Sequence, residues 1–386
     1  MIFLRNMVCN EAPRQDGIRI RIVVFALHFA EYAVNHALAL SRFGSVLLLL
    51  DRKNALEEMG HEVDVDGCDL RIVLVNFNEY IYNLPAILIK VRNKVADFNP
   101  DFIHFQEAAS TPALILSFID WGVPVVMTVH DPAPHSGEDD YSISSIKRRF
   151  VLNRWRRKID AVVTHGDSLM DIVISTYPRL KGLVYSVPHG PLGGPPAITA
   201  TVQGTFLFFG RIQAYKGLGH FVAAIRGLHE RGLSVRGVIA GRGGDLARHR
   251  ALIDGHPAFE LHERFIAHDE LPSLFARAQA VVLPYVDGTQ SGVAAMALGF
   301  GRAIIATRVG ALQDMVRDGD NGLLVPPGDA DALAAAMARL MAAPDEAARM
   351  GKRSVELGQT DLSWQRNAQI TLQAYEAAIR RKREAG

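Results

Sequence analysis

The sequence predicts an α/β protein made of two doubly wound, parallel-sheet domains, and three observations predict it. Its 386 residues, 49% of them hydrophobic, suffice for two globular units with their own cores at roughly 100–200 residues per domain. Short β-branched runs alternate with segments of helical apolar spacing, and near-continuous apolar strands between amphipathic helices specify parallel sheets covered on both faces. Two such series are separated by Pro188-His-Gly-Pro-Leu-Gly-Gly-Pro-Pro196, whose prolines and glycines suit neither a sheet nor a helix interior.

Residues 1–18 read as a loose lead-in, because Arg5, Glu11, Arg14 and Asp16 interrupt the apolar core a signal peptide needs. In the first half the expected strands are Arg21–Leu27, Val46–Asp51, Arg71–Val75, Asp101–Gln106, Val123–His130 and Ala161–His165, most of them followed by a helical segment. The linker comes next. The second half then offers Thr205–Gly210, Ser234–Ala240, Phe259–His262, Ala280–Tyr285, Ala303–Thr307 and Gly322–Val325. After Asp361 the placing of Trp364, Ile370, Leu372 and Tyr375 reads as a terminal helix ending in a solvated Arg380-Arg-Lys-Arg-Glu384. The expected division is 1–190, 197–360 and a terminal helix in 361–386.

Composition removes several classes of function. With 42 Lys+Arg against 41 Asp+Glu there is no cation surplus to displace counterions, so no nucleic-acid partner is expected. The two cysteines, Cys9 and Cys68, make no disulfide framework, and the absence of a CxxC or Cys/His cluster gives no zinc site, which points to a reducing, cytoplasmic compartment. The apolar run Ala332–Ala338 falls far short of the roughly 20 residues that span a bilayer. Asp64-Val-Asp66 reads either as a metal-binding pair or as the solvated face of a short strand. Between Ser145 and Lys158, seven cations and no acid surround Ile146, Phe150, Val151, Leu152 and Trp155. Such a segment suits an anionic membrane surface, or a helix whose apolar stripe packs on its own domain.

In open α/β sheets ligands gather at the carboxyl ends of the strands, and three segments there carry chemistry. The first is Phe206-Leu-Phe-Phe-Gly-Arg-Ile-Gln-Ala-Tyr-Lys-Gly217, where the strand ends at Gly210 and Arg211 and Lys216 emerge before a helix marked by Phe221, Ile225 and Leu228. Two cations beside a helix N-terminus, with Gly217 and Gly219 clearing side chains, suit a diphosphate; a solvated Arg and Lys on a loop is the plainer reading. The second is Val286-Asp-Gly-Thr-Gln-Ser-Gly292 after the strand Val281–Tyr285, where Thr289 or Ser291 serves as a helix cap and the loop amides face either a phosphate or solvent. In the third, Thr128-Val-His-Asp-Pro-Ala-Pro-His135, a buried strand delivers His130 and Asp131 to its end, and His130 is either a ligand contact or a structural histidine.

Together these residues resemble the retaining glycosyltransferases of family four. The resemblance is carried by Phe-Phe-Gly210-Arg211-Ile with Tyr-Lys216-Gly, Val-Pro-His189-Gly, Ile-Ala-Gly241-Arg-Gly, and Val-Leu-Pro284-Tyr with Thr289-Gln-Ser-Gly-Val293. Ala303-Ile-Ile-Ala-Thr307, Arg308-Val-Gly310 and Asp320-Asn-Gly322-Leu-Leu-Val-Pro326 extend it, so that it covers about residues 120 to 330. It implies a GT-B architecture with the active site in the cleft between two Rossmann-like domains and the terminal helix crossing back to the first. It also implies that Arg211 and Lys216 grip a donor diphosphate and that His130 lies near the transferred sugar. Gly210, Asp287, Thr289, Gln290, Ser291 and Gly292 would meet the donor, without a cofactor or a metal.

Two departures mark this chain. The family's pair of glutamates, with seven residues between them, falls at Val286 and Ala294, leaving Asp287 as the nearest acid; a variant with Thr-Gln-Ser-Gly-Val in this loop accounts for it. The first strand runs into His28-Phe-Ala-Glu-Tyr32 without a Gly-Gly turn. The expected activity is transfer from a UDP- or GDP-linked sugar to a saccharide acceptor, either free or lipid-linked at the inner membrane face. The alternatives are a nucleotide-sugar epimerase of the same fold and a non-catalytic nucleotide-sugar-binding protein.

Overall fold

The computed structural model describes residues 20–60, 68–77, 84–107, 110–131, 150–151, 153–155, 157–194, 201–288 and 290–385. They form two sheets whose strands are all parallel. The first has seven strands in the order β3-β2-β1-β4-β5-β6-β7: β1 (Ile20–Ala26), β2 (Gly44–Asp51), β3 (Leu70–Val75), β4 (Phe102–Gln106), β5 (Val125–Val129), β6 (Ala161–His165) and β7 (Val184–Val187). The second has six in the order β10-β9-β8-β11-β12-β13: β8 (Thr205–Phe209), β9 (Arg236–Ala240), β10 (Phe259–His262), β11 (Ala280–Leu283), β12 (Ala303–Thr307) and β13 (Gly322–Val325). The expected strands are present with ends within two residues of those read from the sequence. The edge strand β7 was not anticipated, since Val-Tyr-Ser-Val is only half apolar and only its last residue is buried.

The helices that matter for the site are α1 (Ala30–Leu40), α2 (Arg52–Met59), α3 (Leu84–Phe98), α4 (Thr111–Leu116) and α5 (Asp167–Thr176) in the first half. The second half carries α6 (Leu218–Glu230), α7 (Arg250–Ile253), α8 (Leu271–Arg277), α9 (Gly292–Gly299), α10 (Leu312–Met315), α11 (Ala330–Ala342), α12 (Pro344–Gln359) and α13 (Trp364–Ala385). In α6 the anticipated Phe221, Ile225 and Leu228 are fully buried against Phe206, Phe208 and Ile239. Helix α13 lies on α1 and on β5, β6 and β7. There Tyr375 stacks on Phe102 with ring centroids 4.8 Å apart.

Each sheet has one point where its strand order reverses. In the first, the chain runs from β1 outward to β3 and then resumes on the other side at β4; in the second, β8 and β11 flank the reversal. These points define where a ligand is expected.

Several sequence expectations meet the structure at other places. Val151 and Trp155 are buried in the first core, with the Trp155 ring 4.2 Å from that of Phe105, while Phe150 is 58% exposed. Part of the basic segment's apolar stripe therefore packs on its own domain; Ser145–Arg149, Leu152 and Arg156 lie outside the described residues. Asp64, Asp66 and residues 1–18 lie outside them too. Cys68 is disulfide-bonded, so the cysteines lend no support to a reducing compartment. Among the described residues no helix is long and apolar enough to cross a membrane.

Candidate functional site

At the reversal of the second sheet, two loops are fastened together. The chain leaves β8 through Gly210 at φ 104°, where an added Cβ would stand 3.3 Å from both Lys216 Nζ and Val293 Cγ2. Its missing side chain leaves a space between this loop and the start of α9. At Gly217, which begins α6 at φ 71°, a Cβ would lie 2.0 Å from the Pro284 carbonyl, so only glycine allows the β8 and β11 loops to touch. The Val286 amide completes the join by donating to the Tyr215 carbonyl at 2.8 Å.

Arg211 stands exposed in this loop, whereas Lys216 is 8% exposed, its Nζ 5.3 Å from the centre of the Tyr285 ring. Neither makes an ion pair among the described residues. Burial, with Arg211 adding to it, pulls the Lys216 ammonium down to about 8, so it is charged at neutral pH but poorly hydrated. Two cations at a helix start, one of them desolvated and neither with a carboxylate partner among the described residues, are an arrangement that attracts anions.

On the second loop, Ser291 Oγ accepts from the Ala294 amide at 3.2 Å and lies 3.1 Å from the Tyr285 hydroxyl, which burial pushes up to about 12. Ser291 is thus the N-cap of α9. Asp287 Oδ1 accepts from the Gly288 amide at 2.8 Å. A Cβ on Gly292 would meet only Leu192 Cδ1, at 3.9 Å, so the fold itself does not demand glycine there. Thr289 lies outside the described residues.

The reversal of the first sheet is different in kind. His130, 1% exposed just beyond β5, receives a hydrogen bond on Nδ1 from Gln290 Nε2 of the second half at 3.3 Å. Its Nε2 therefore carries the proton and donates to Gln106 Oε1 at 2.9 Å, and Gln106 Nε2 donates in turn to His36 Nδ1 at 3.4 Å. Glu107 Oε2 fixes the backbone from below by accepting from the amides of His130 and Asp131, at 2.9 and 3.1 Å.

His36, His104, His130, His165 and His189 are all buried, and the Tyr32 ring lies edge-on to three of them and against a fourth. Burial holds each imidazole below its ordinary range, His36 to about 3 and His189 to about 4. Across the cleft, Asp314 of α10 accepts from the amide and hydroxyl of Ser168 at the start of α5, and a cavity of about 20 Å³ lies between His165, His189, Gln290 and Asp314. A roomier cavity of about 680 Å³ opens near Thr205 and Arg236, at the amino-terminal ends of two strands of the second sheet, opposite the carboxyl ends that carry these loops.

The structure thus brings Gly210, Lys216 and the start of α9 together, and joins Gln290 to His130. Asp287 accepts a hydrogen bond within its own turn. Sequence reasoning missed Gln106 and Tyr285; the first is signalled only by a polar residue closing the apolar strand Phe-Ile-His-Phe-Gln106.

Two family models match separate stretches of the chain. The family described as "Glycosyltransferase Family 4" matches residues 30–190 and that described as "Glycosyl transferases group 1" matches 203–343. The chain is 32% identical over 303 residues to a D-inositol 3-phosphate glycosyltransferase of Kribbella flavida, covering 72% of this chain and 71% of the relative. It is 28% identical over 308 residues to a glycogen synthase of Mycobacterium tuberculosis, covering 74% of this chain and 71% of the relative. Among solved structures, Anabaena HepE in complex with UDP-glucose superimposes with a TM-score of 0.66 at 16% identity, over 93% of this chain and 99% of that one.

Proposed function

The chain belongs to the GT-B glycosyltransferases, and from that premise we propose that it moves a sugar from a nucleotide-diphosphate sugar to a saccharide acceptor with retention of configuration. The observation that carries the donor half is Arg211 and Lys216, without an ion-pair partner among the described residues, at the reversal of the second sheet. On this reading 197–360 binds the donor, 1–190 faces the acceptor, and the helix of 361–386 returns to the acceptor side.

In the proposed step the bond from sugar C1 to the β-phosphate oxygen breaks, its electron pair passing to the phosphate. The acceptor hydroxyl bonds C1 on the same face, and its proton goes to the departing phosphate oxygen. Arg211 and Lys216 stabilise the charge that builds on the diphosphate, an interaction stronger in the transition state than in the ground state. His130 is uncharged and its acceptor nitrogen Nδ1 is held by Gln290, so it orients a sugar hydroxyl where that hydroxyl replaces Gln290 as the donor, and it supplies no proton. Gly210, Thr289, Ser291 and Gly292 line the phosphate, Gln290 the boundary between the domains, and Asp287 the sugar hydroxyls in place of the absent glutamates.

UDP-glucose in HepE supports a nucleotide-sugar donor, and the glycogen synthase relative supports a saccharide acceptor and a place in polysaccharide synthesis. A cytoplasmic site with peripheral attachment through 145–158 would go with a lipid-linked acceptor; buried Val151 and Trp155 count against the attachment. The missing glutamates favour, as a second reading, a protein that holds a nucleotide sugar without turning it over.

A thermal-shift panel of UDP- and GDP-sugars tests donor binding, since a ligand of the native state raises its melting temperature. NMR of the product from the stabilising donor then reads the anomer. Retained configuration on an acceptor is expected; a new epimer formed without acceptor means an epimerase, and binding without turnover means the second reading.

A further inference from the structure

The turn from β1 into α1 contains a residue that tight turns disfavour. Phe29 stands at φ 60° and ψ 51°, in the left-handed region where a Cβ crowds the following carbonyl. Among the described residues the other non-glycine at positive φ is Asn99, whose short amide tolerates that conformation. Glycine would pass through this turn without strain, so an aromatic residue is held here against its backbone preference.

What the strain secures is the position of a ring. The Phe29 centroid lies 4.3 Å from that of His130, beside the reversal between β1 and β4, and the same His130 ring meets Gln290 of the second half. Phe29 is only half-buried: it rests on the first core and leaves part of its surface open, next to an exposed His28. A residue serving the core alone would gain nothing from this placement. The second domain's facing loops carry the cations and polar groups, and the Phe29 ring is the apolar surface beside His130 in the opposite wall.

We propose that Phe29 is a specificity-determining residue of the acceptor site, a platform for the C–H face of the acceptor's sugar ring. The proposal rests on the glycosyltransferase reading. The electron-rich ring face attracts the weakly positive axial C–H groups of a pyranose, and it favours sugars that present several of them on one side. Hydroxyls on the sugar's rim are left for the polar atoms around it.

Saturation-transfer NMR on the full chain tests this, in the presence of whichever of UDP or GDP raises the melting temperature, with methyl α-glucopyranoside and methyl α-mannopyranoside as probes. The C–H protons of at least one glycoside should receive saturation from the wild type and from Phe29→Tyr. The transfer should fall about fivefold or more in Phe29→Leu while the nucleotide-induced melting shift is unchanged. Undiminished transfer in Phe29→Leu, or no transfer in a wild type that binds the nucleotide, overturns the platform. A wild type stabilised by neither nucleotide overturns the transferase reading beneath it. The strain is read separately: Phe29→Gly should melt above Phe29→Leu, and the opposite order overturns it.

Discussion

The two sheets reverse in the same way but are furnished oppositely. At the second, loops joined through Gly217 and Pro284 expose Arg211 and hold Lys216 with no described counter-ion. At the first, buried imidazoles are kept neutral around Tyr32, and His130 is linked by hydrogen bonds to Gln106 and Gln290. One topology therefore supplies charge on one wall and uncharged, oriented hydrogen-bonding groups on the other. The reversal decides where a ligand sits, and the side chains at the strand ends decide what it must be.

Acid should separate the two walls most strongly. Histidines with a lowered native pKa take up protons in the unfolded chain at about 6.5 but not in the native one, so stability is full above that pH and is lost as pH falls below it. Each contributes a slope of at most about 1.4 kcal/mol per pH unit, and Glu31, pushed up to about 7 by burial, opposes them by one group. Urea unfolding at pH 7, 6 and 5 should show a steep loss; a flat profile would mean that the imidazoles are hydrated and not a sealed cluster.

The second wall should answer to charge. Arg211→Ala and Lys216→Ala should each lower kcat by about 100-fold or more with the melting temperature preserved, as expected for groups that stabilise developing charge. Donor affinity of the wild type should also fall as pH rises through about 8, where Lys216 loses its proton. Steady-state kinetics on the stabilising donor checks both, and near-normal turnover in the two variants would remove the diphosphate site.

The smallest effect is expected at the link between the walls. Gln106→Leu leaves the buried His130 Nε2–H without its acceptor and should cost about 1–3 kcal/mol of stability. Long-range ¹H–¹⁵N NMR should show that the His130 tautomer is no longer fixed. An unchanged tautomer with unchanged stability would show that Gln290 alone sets the ring.

What the sequence disclosed follows from these differences. Parallel strands and the Arg211 and Lys216 loop were legible because buried strands are continuous apolar runs and because a strand, a glycine and cations in one short stretch form a local pattern. Of the first wall, only His130 at its strand end and His189 in a family motif stood out. His36, His104, His165 and His189 come from separate elements and gain meaning only when α1, β4, β6 and the linker are folded together. Spacing narrowed the cap of α9 to Thr289 or Ser291, and the structure has Ser291; the left-handed turn at Phe29 breaks the local rule, and a pattern-based reading has no means of expecting it.

The helix that closes the chain sets an order of assembly. Trp364 Nε1 donates to the Pro191 carbonyl at 2.8 Å, Asn367 Nδ2 to that of Pro188 at 2.8 Å, and the Tyr375 hydroxyl pairs with His104 Nδ1 at 2.8 Å. The half that leaves the ribosome first is thus the half completed last, its core open along β5, β6 and β7 until the final helix arrives. During synthesis every strand of the second sheet is made while the first core still waits for its last helix, so the histidine cluster is sealed only after those strands have left the ribosome.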